Sequence, residues 1–395
     1  MKKNVLLLGM VLLSLLFSRA CALETYAAPD GSIRFEGSAH RVFYDPVLTL
    51  SNGKLLIAVR VNENDELRTW VICIEPDGSA AWSADVTQAS SSMFVSSMNE
   101  QLDGSLCITT TIDQYKYRQQ TGLSMADGSI LWQQEPVEIF SNAVTEDGTI
   151  GVRSIPVGEY YLSQETHDCS ASCQPVYFQL ETPQGDVLWR AKDAPMGMTH
   201  FGGEAVFALE KDLLLAGHDM DGVVLQRMDE NGDILWRTPL PETLFPSLQV
   251  CMPNGQLVLC CISISGGLEA ANPRWDQRGF AGLSAESGQV LWEVYHPIER
   301  GEPTGMDSLL YTEQGLLLAG GGSGYEGCFY QLLDDAGNKV ASWTDHNLKQ
   351  RVLHVELFEW QHKPWACVSL SASVEKNEAG VALVPVRFPD MLLTQ

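Results

Sequence analysis

The chain has 395 residues, 45% of them hydrophobic, and carries a formal charge of −25 at pH 7 from 50 acidic and 25 basic side chains. This is the composition of a globular protein with enough apolar material for a continuous core. The sign of the charge excludes nucleic acid and anionic lipid as partners held by general electrostatic attraction.

Residues 1–22 open with Lys2 and Lys3, continue through an apolar run from Val5 to Phe17 and end in Ala20-Cys21-Ala22. A basic start, a short apolar stretch and an A-x-A site read as a secretory signal peptide, so the expected product is exported. The run is too short for a comfortable membrane span, and no second stretch of spanning length follows. Cys21 could carry a lipid, but Ser18 and Arg19 stand where such a site favours small apolar residues. Removing Lys2, Lys3 and Arg19 takes the charge to −28, and residues 23–395 are expected to form one domain.

After the leader, one pattern recurs along the chain. A strand end, a tight glycine turn and a second strand closing on Trp appear as IEPDGSAAW at Trp82, MADGSILW at Trp132, ETPQGDVLW at Trp189, DENGDILW at Trp236, SAESGQVLW at Trp292 and LDDAGNKVASW at Trp343. Steps of 50, 57, 47, 56 and 51 residues separate these tryptophans, a period at which supersecondary units stack in an array. Asp-Gly, Asn-Gly and Ser-Gly supply the positive φ of a hairpin turn, so each copy predicts strands C and D of a unit.

A second series supplies strands A and B: SNGKLLIAV at Ser51, LDGSLCITT at Leu102, EDGTIGVRS at Glu146, EKDLLLAGH at Glu210, PNGQLVLCC at Pro253, EQGLLLAGG at Glu313 and QHKPWACVS at Gln361. Two hairpins per period make the four-stranded blade of an all-β propeller, with seven blades by this count. The last C strand, GVALVPVRF from Gly380, has no D strand after it, and DGSIRF from Asp30 has no C strand before it. The N-terminal strand is therefore expected to complete the last blade and close the ring, with Phe35 in phase 47 residues before Trp82.

The stretches Leu283–Trp292 (LSAESGQVLW) and Leu123–Trp132 (LSMADGSILW) resemble the tryptophan-docking repeat of the quinoprotein dehydrogenase-like superfamily of PQQ-like propellers. The resemblance implies a propeller over the whole mature chain and leaves activity open. Its enzymes usually have eight blades, and many members lack the quinone and act as scaffolds or binding modules. Adjacent cysteines near a bound quinone occur in some of those enzymes. Cys260-Cys261 here lies inside a B strand, where alternation sends the two side chains to opposite faces. No cofactor is expected.

Nine cysteines remain after leader removal, an odd number that cannot all pair within one chain. Cys73, Cys107, Cys260 and Cys367 sit in apolar strand runs as small hydrophobes. Cys169 and Cys173 lie in a polar loop at a spacing that allows a small disulfide.

Most A–B and C–D turns are short, so binding is expected on the opposite face, where two B–C connections are long: Val157–Pro175 and Ser265–Arg278. Tyr160, Tyr161, Arg274, Trp275 and Arg278 in these walls are residue types that anchor ligands. His200, His218, Asp219, Asp221, His296, Glu299 and His346 share that face, but their spacing forms no metal-binding or catalytic set. Nor does the chain contain G-x-S-x-G, H-E-x-x-H or a phosphate-cradling glycine loop. The reading is an exported, non-enzymatic propeller that binds a protein or a glycan. The alternatives are a quinone-dependent oxidoreductase or a polysaccharide-active enzyme on the same fold.

Overall fold

The computed structural model describes residues 25–389, apart from 29–31, 36–38, 41–46, 64–65, 88–93, 102, 113–116, 139–141, 146–147, 158–159, 168–173, 182–185, 192–205, 210–211, 220–221, 242–243, 266–273, 304, 322–325, 349–350 and 372–379. Its described strands form seven antiparallel sheets, numbered here as blades in chain order. Blades 4, 5 and 6 each consist of four consecutive strands, for example Leu244–Cys251, Gln256–Ser265, Arg274–Ser284 and Val290–Pro297 in blade 5. Blade 1 has its inner strand in two pieces, Ala39–His40 and Val47–Thr49, both paired with Leu55–Glu63. In blade 2 the outer strand is divided, with Ile130–Gln133 and Val137–Glu138 both on Tyr117–Ser124.

The N-terminal segment pairs with the last C strand, Ile33 opposite Leu383 and Arg34 opposite Ala382. A further strand, Thr25–Ala27, lies outside it and makes blade 7 five-stranded. Across the seam, Trp360 Nε1 of blade 7 donates to the Gly53 carbonyl of blade 1 at 2.8 Å, and Thr49 Oγ1 donates to the Glu359 carbonyl at 2.7 Å.

The core lies between blades. Central strands are buried on both faces because neighbouring blades pack against them; Ser105–Ile112 and Gly315–Gly320 are buried along their whole length. One cluster joins Leu106, Ile108 and Leu123 of blade 2 to Leu56, Ala58 and Trp82 of blade 1. Another joins Leu257, Leu259 and Leu283 of blade 5 to Leu214, Leu225 and Trp236 of blade 4.

The repeated Trp explains the period. Trp236 reaches across the seam, where its Nε1 donates to the Ala285 carbonyl at 2.8 Å and its ring lies against Gly288. Trp82 makes the same bond to the Met125 carbonyl at 3.0 Å and lies against Gly128. Trp189 and Trp292 meet Gly232 and Gly337 in turn. The turn glycine serves twice, supplying φ of +71° at Gly288 and leaving room for the indole.

Two expectations about this series are corrected. Trp343 stands two residues beyond the docking position, which Ala341 occupies four residues after Gly337; it stacks instead on Tyr330 of its own blade at 5.4 Å and meets Phe388 at 5.8 Å. The turn is no longer than that of blade 4, Leu333 pairing with Lys339 as Met228 pairs with Ile234, but the Trp comes two residues later in the strand, which hid the offset. In the N-terminal strand, Ile33 rather than Phe35 meets the glycine of the next turn, 3.1 Å from where a Gly78 methyl would fall. Apolar residues on one face of a strand recur every second position, so sequence phase alone could not choose between them.

Candidate functional site

Neighbouring antiparallel strands alternate in direction, so successive turns alternate between the two ends of a blade. The Trp189–Gly232 contact places the turn before Val187–Ala191 at the same end as the other C–D turns. Counting back through blade 3, Asn142–Thr145, Gly148–Val157, Tyr160–His167, Gln174–Glu181 and Val187–Ala191, puts the Val157–Tyr160 turn at that short-turn end as well. Gly148–Val157 is thus the A strand, as its contact with the inner strand Val206–Leu209 of blade 4 also indicates. Asn142–Thr145 is an extra strand inside it.

This corrects the expected wall at Val157–Pro175. Most of it is the B strand Tyr160–His167, and Tyr160 and Tyr161 belong to the short-turn end instead of the opposite face. YYLSQETH carries Ser, Gln, Glu, Thr and His, which disguised a strand as a loop, while the Glu146-Asp147-Gly148 turn signal is the same for any hairpin. Between His167 and Gln174 the chain does connect B to C at the long-connection end. Cys169 and Cys173, with their expected disulfide, lie there outside the described residues.

In blade 5 strand pairing shortens the expected connection. Gln256–Ser265 and Arg274–Ser284 pair from Ser265 opposite Arg274, so the connection is 266–273, outside the described residues. Arg274 and Trp275 begin the C strand at the long-connection end.

Arg278, four residues further on, is only 3% exposed and is corrected from an open anchor to an internal clamp. Its Nη1 donates to Glu302 Oε2 at 2.8 Å and to Gln331 Oε1 at 3.0 Å, and its Nη2 donates to the Pro303 carbonyl. The guanidinium carbon stands 5.4 Å over the Phe329 ring. Its place in the strand turns the side chain into the blade 5–6 seam, where a charge persists only when paired.

Glu302 completes the clamp. Lys339 Nζ lies 3.2 Å from both Glu302 Oε1 and Glu299 Oε1. Burial on its own would raise the Glu302 carboxyl, but the hydrogen bonds from Arg278 and Lys339 outweigh it and hold the group below the usual glutamate range. The D–A connection between blades 5 and 6 is thereby fastened to the C strand of blade 5 through Arg278 and to the start of the D strand of blade 6 through Lys339. Nothing in GEPTGMD marked Glu302 as the partner of Arg278 in the sequence.

The other candidate residues are dispersed. His296 Nε2 stands 2.8 Å from the Gly337 carbonyl and its ring lies edge-on to Phe280 at 5.3 Å. Glu299 is paired with Lys339, and His346 follows the D strand of blade 6. His218 and Asp219 end a B strand, with Asp219 paired opposite Gly222. His200 and Asp221 lie outside the described residues. Among the described residues no three His, Cys, Asp or Glu side chains converge as a metal-binding group.

Cys260 and Cys261 do alternate. Cys260 packs in the blade 5–6 cluster and Cys261 in the blade 4–5 cluster. Burial pushes the Cys260 thiol up to about 12 and the Cys261 thiol well above its ordinary value, so neither is a thiolate at neutral pH.

Residues 67–244 match the family model of the outer membrane protein assembly factor BamB, a PQQ-type repeat model. Over that stretch the chain is similar to PQQ-like β-propellers. Among solved structures, this propeller superposes on the polysaccharide lyase Uly1 with a TM-score of 0.51 and 8% identity, covering 92% of this chain and 91% of that one. Virginiamycin B lyase from Staphylococcus aureus aligns at a TM-score of 0.47 and 12% identity, covering 92% and 99%. At such identities the likeness is one of fold. No curated protein matches the propeller.

Proposed function

We propose that this propeller is an exported binding protein that holds a protein or glycan on its long-connection face, over blades 5 and 6, without catalysing a reaction there. The observation that carries the reading is the Arg278–Glu302–Lys339 clamp, which fixes the D–A connection to Arg278, four residues after Arg274 and three after Trp275 on the same strand. Ligand anchors need a rigid support if ordering costs are not to consume the binding energy. The matched family model is that of a protein assembly factor, which favours a protein over a glycan. The residues 1–22 leader supports export, and the charge of −25 opposes nucleic acid.

The test is a binding screen of the purified mature chain against glycan and surface-protein panels, repeated with Trp275→Ala. Loss of the captured ligand with an unchanged melting curve supports the reading. Retention of the ligand by Trp275→Ala, or turnover of it by the wild-type protein, rejects it.

A further inference from the structure

The D–A connection between blades 5 and 6 turns at Glu299–Glu302. There the Glu302 amide donates to the Glu299 carbonyl at 3.0 Å, and Gly301 supplies φ of +102° at the third position of the turn. Arg300 and Gly301 form the exposed tip, while Pro303 behind it is buried. Both carboxylates that flank the tip are already engaged, Glu299 by Lys339 and Glu302 by Lys339 and Arg278. Arg300 itself makes no side-chain hydrogen bond or ion pair among the described residues. Its backbone is held and its guanidinium is free.

The next D–A connection, between blades 6 and 7, repeats the arrangement. The Arg351 carbonyl accepts from the Ser371 amide of blade 7 at 2.9 Å, and the residue bridges to Glu326 and Gly327 of blade 6. The Arg351 side chain is exposed and likewise makes no hydrogen bond or ion pair among the described residues. Elsewhere arginines are committed: Arg68 to Asp85, Arg227 to Asp212 and Arg278 to Glu302. Acidic side chains outnumber basic ones 50 to 25, yet these two guanidinium groups on consecutive connections of one face stay unpaired within the described chain.

We propose that Arg300 and Arg351 bind carboxylates of an acidic segment of the partner protein, each guanidinium meeting one carboxylate through two N–H donors. The inference rests on the reading of this face as protein-binding and names the chemistry it selects. The planar fork of arginine matches a carboxylate, and a fixed backbone lowers the ordering cost of the contact. The net charge of the chain opposes an acidic partner at long range. At physiological salt that field is screened beyond about 8 Å, so the contact is decided by the charges beside it. Beside Arg300 those are already neutralised by Lys339 and Arg278.

The probe is an end-capped nine-residue peptide alternating glutamate and alanine, titrated into the mature protein while modification of each arginine by phenylglyoxal is followed by mass spectrometry. Saturating peptide should slow modification of Arg300 and Arg351 by about fivefold or more, and an alanine–lysine peptide should give no protection. Affinity should fall by about fivefold or more for Arg300→Gln and for Arg351→Gln, fall less for Arg300→Lys, and weaken as salt is raised. Both side chains are exposed, so the variants should keep the wild-type melting curve. The proposal is overturned by unslowed modification of both arginines at millimolar peptide, or by unchanged affinity of the folded Arg300→Gln and Arg351→Gln variants. An oligogalacturonate of equal charge that protects better than the peptide overturns it as well. With a captured partner protein, weakening by Trp275→Ala but not by the arginine variants overturns the carboxylate contacts and leaves the face standing. Weakening by the arginine variants but not by Trp275→Ala does the reverse, supporting the carboxylate contacts and removing Trp275 as an anchor.

Discussion

Trp236 of blade 4 lies so close to Gly288 of blade 5 that a methyl group on that glycine would fall 2.6 Å from the indole. Each docking tryptophan is thus half of a two-residue device whose other half sits in the next blade. Trp236→Ala removes a ring that is 8% exposed and breaks its hydrogen bond to the Ala285 carbonyl, so it should destabilise by about 3–5 kcal/mol. Gly288→Ala should cost about 1–3 kcal/mol through overpacking, besides backbone strain at positive φ. Denaturant titration measures both, and a change near zero for Trp236→Ala would contradict the docking account.

Trp132→Ala should behave differently, costing less than about 1 kcal/mol, because an exposed ring loses little packing on truncation. The contrast with Trp236→Ala in the same titration distinguishes a docking tryptophan from an exposed one.

This difference marks how far the sequence carried the account. Gly turns with Trp four residues on were enough to read four-stranded blades, because hairpin chemistry is local and each copy repeats it. Trp132 and Trp236 close identical ILW strings, yet they are 39% and 8% exposed, a difference the strings do not carry. Arg278 shows the same limit: its pairing with Glu302, 24 residues away, is a property of the seam. Tyr160 and Tyr161 were misplaced because their strand is polar, and strand parity is legible only when every strand has been counted.

Glu302→Gln removes one partner of the buried Arg278 and should destabilise by about 3–5 kcal/mol at pH 7. Because the Glu302 carboxyl is held below its ordinary value of 4.5, its stabilising contribution is complete above that pH and is lost as pH falls through the lower folded-state value. Unfolding midpoints measured from pH 7 towards acid should therefore draw together for wild type and Glu302→Gln as the pH falls. A constant gap across the range would contradict this.

Deletion of residues 30–37 removes the strand that pairs Ile33 with Leu383 and exposes the edge of blade 7. The expected cost is on the order of several kcal/mol, a large fraction of a domain's net stability. Equal melting temperatures for the intact and shortened mature proteins would show that this strand does not hold the blade together.

The central claim is that binding energy is concentrated on the long-connection face over blades 5 and 6, and its most direct measurement is calorimetric titration of the captured ligand into wild type, Trp275→Ala and Gln289→Ala. The account predicts a loss of at least about 1 kcal/mol, roughly fivefold in Kd, for Trp275→Ala. Gln289→Ala, in a C–D turn at the opposite end, should leave Kd unchanged. Weakening by Gln289→Ala with no effect of Trp275→Ala would contradict it.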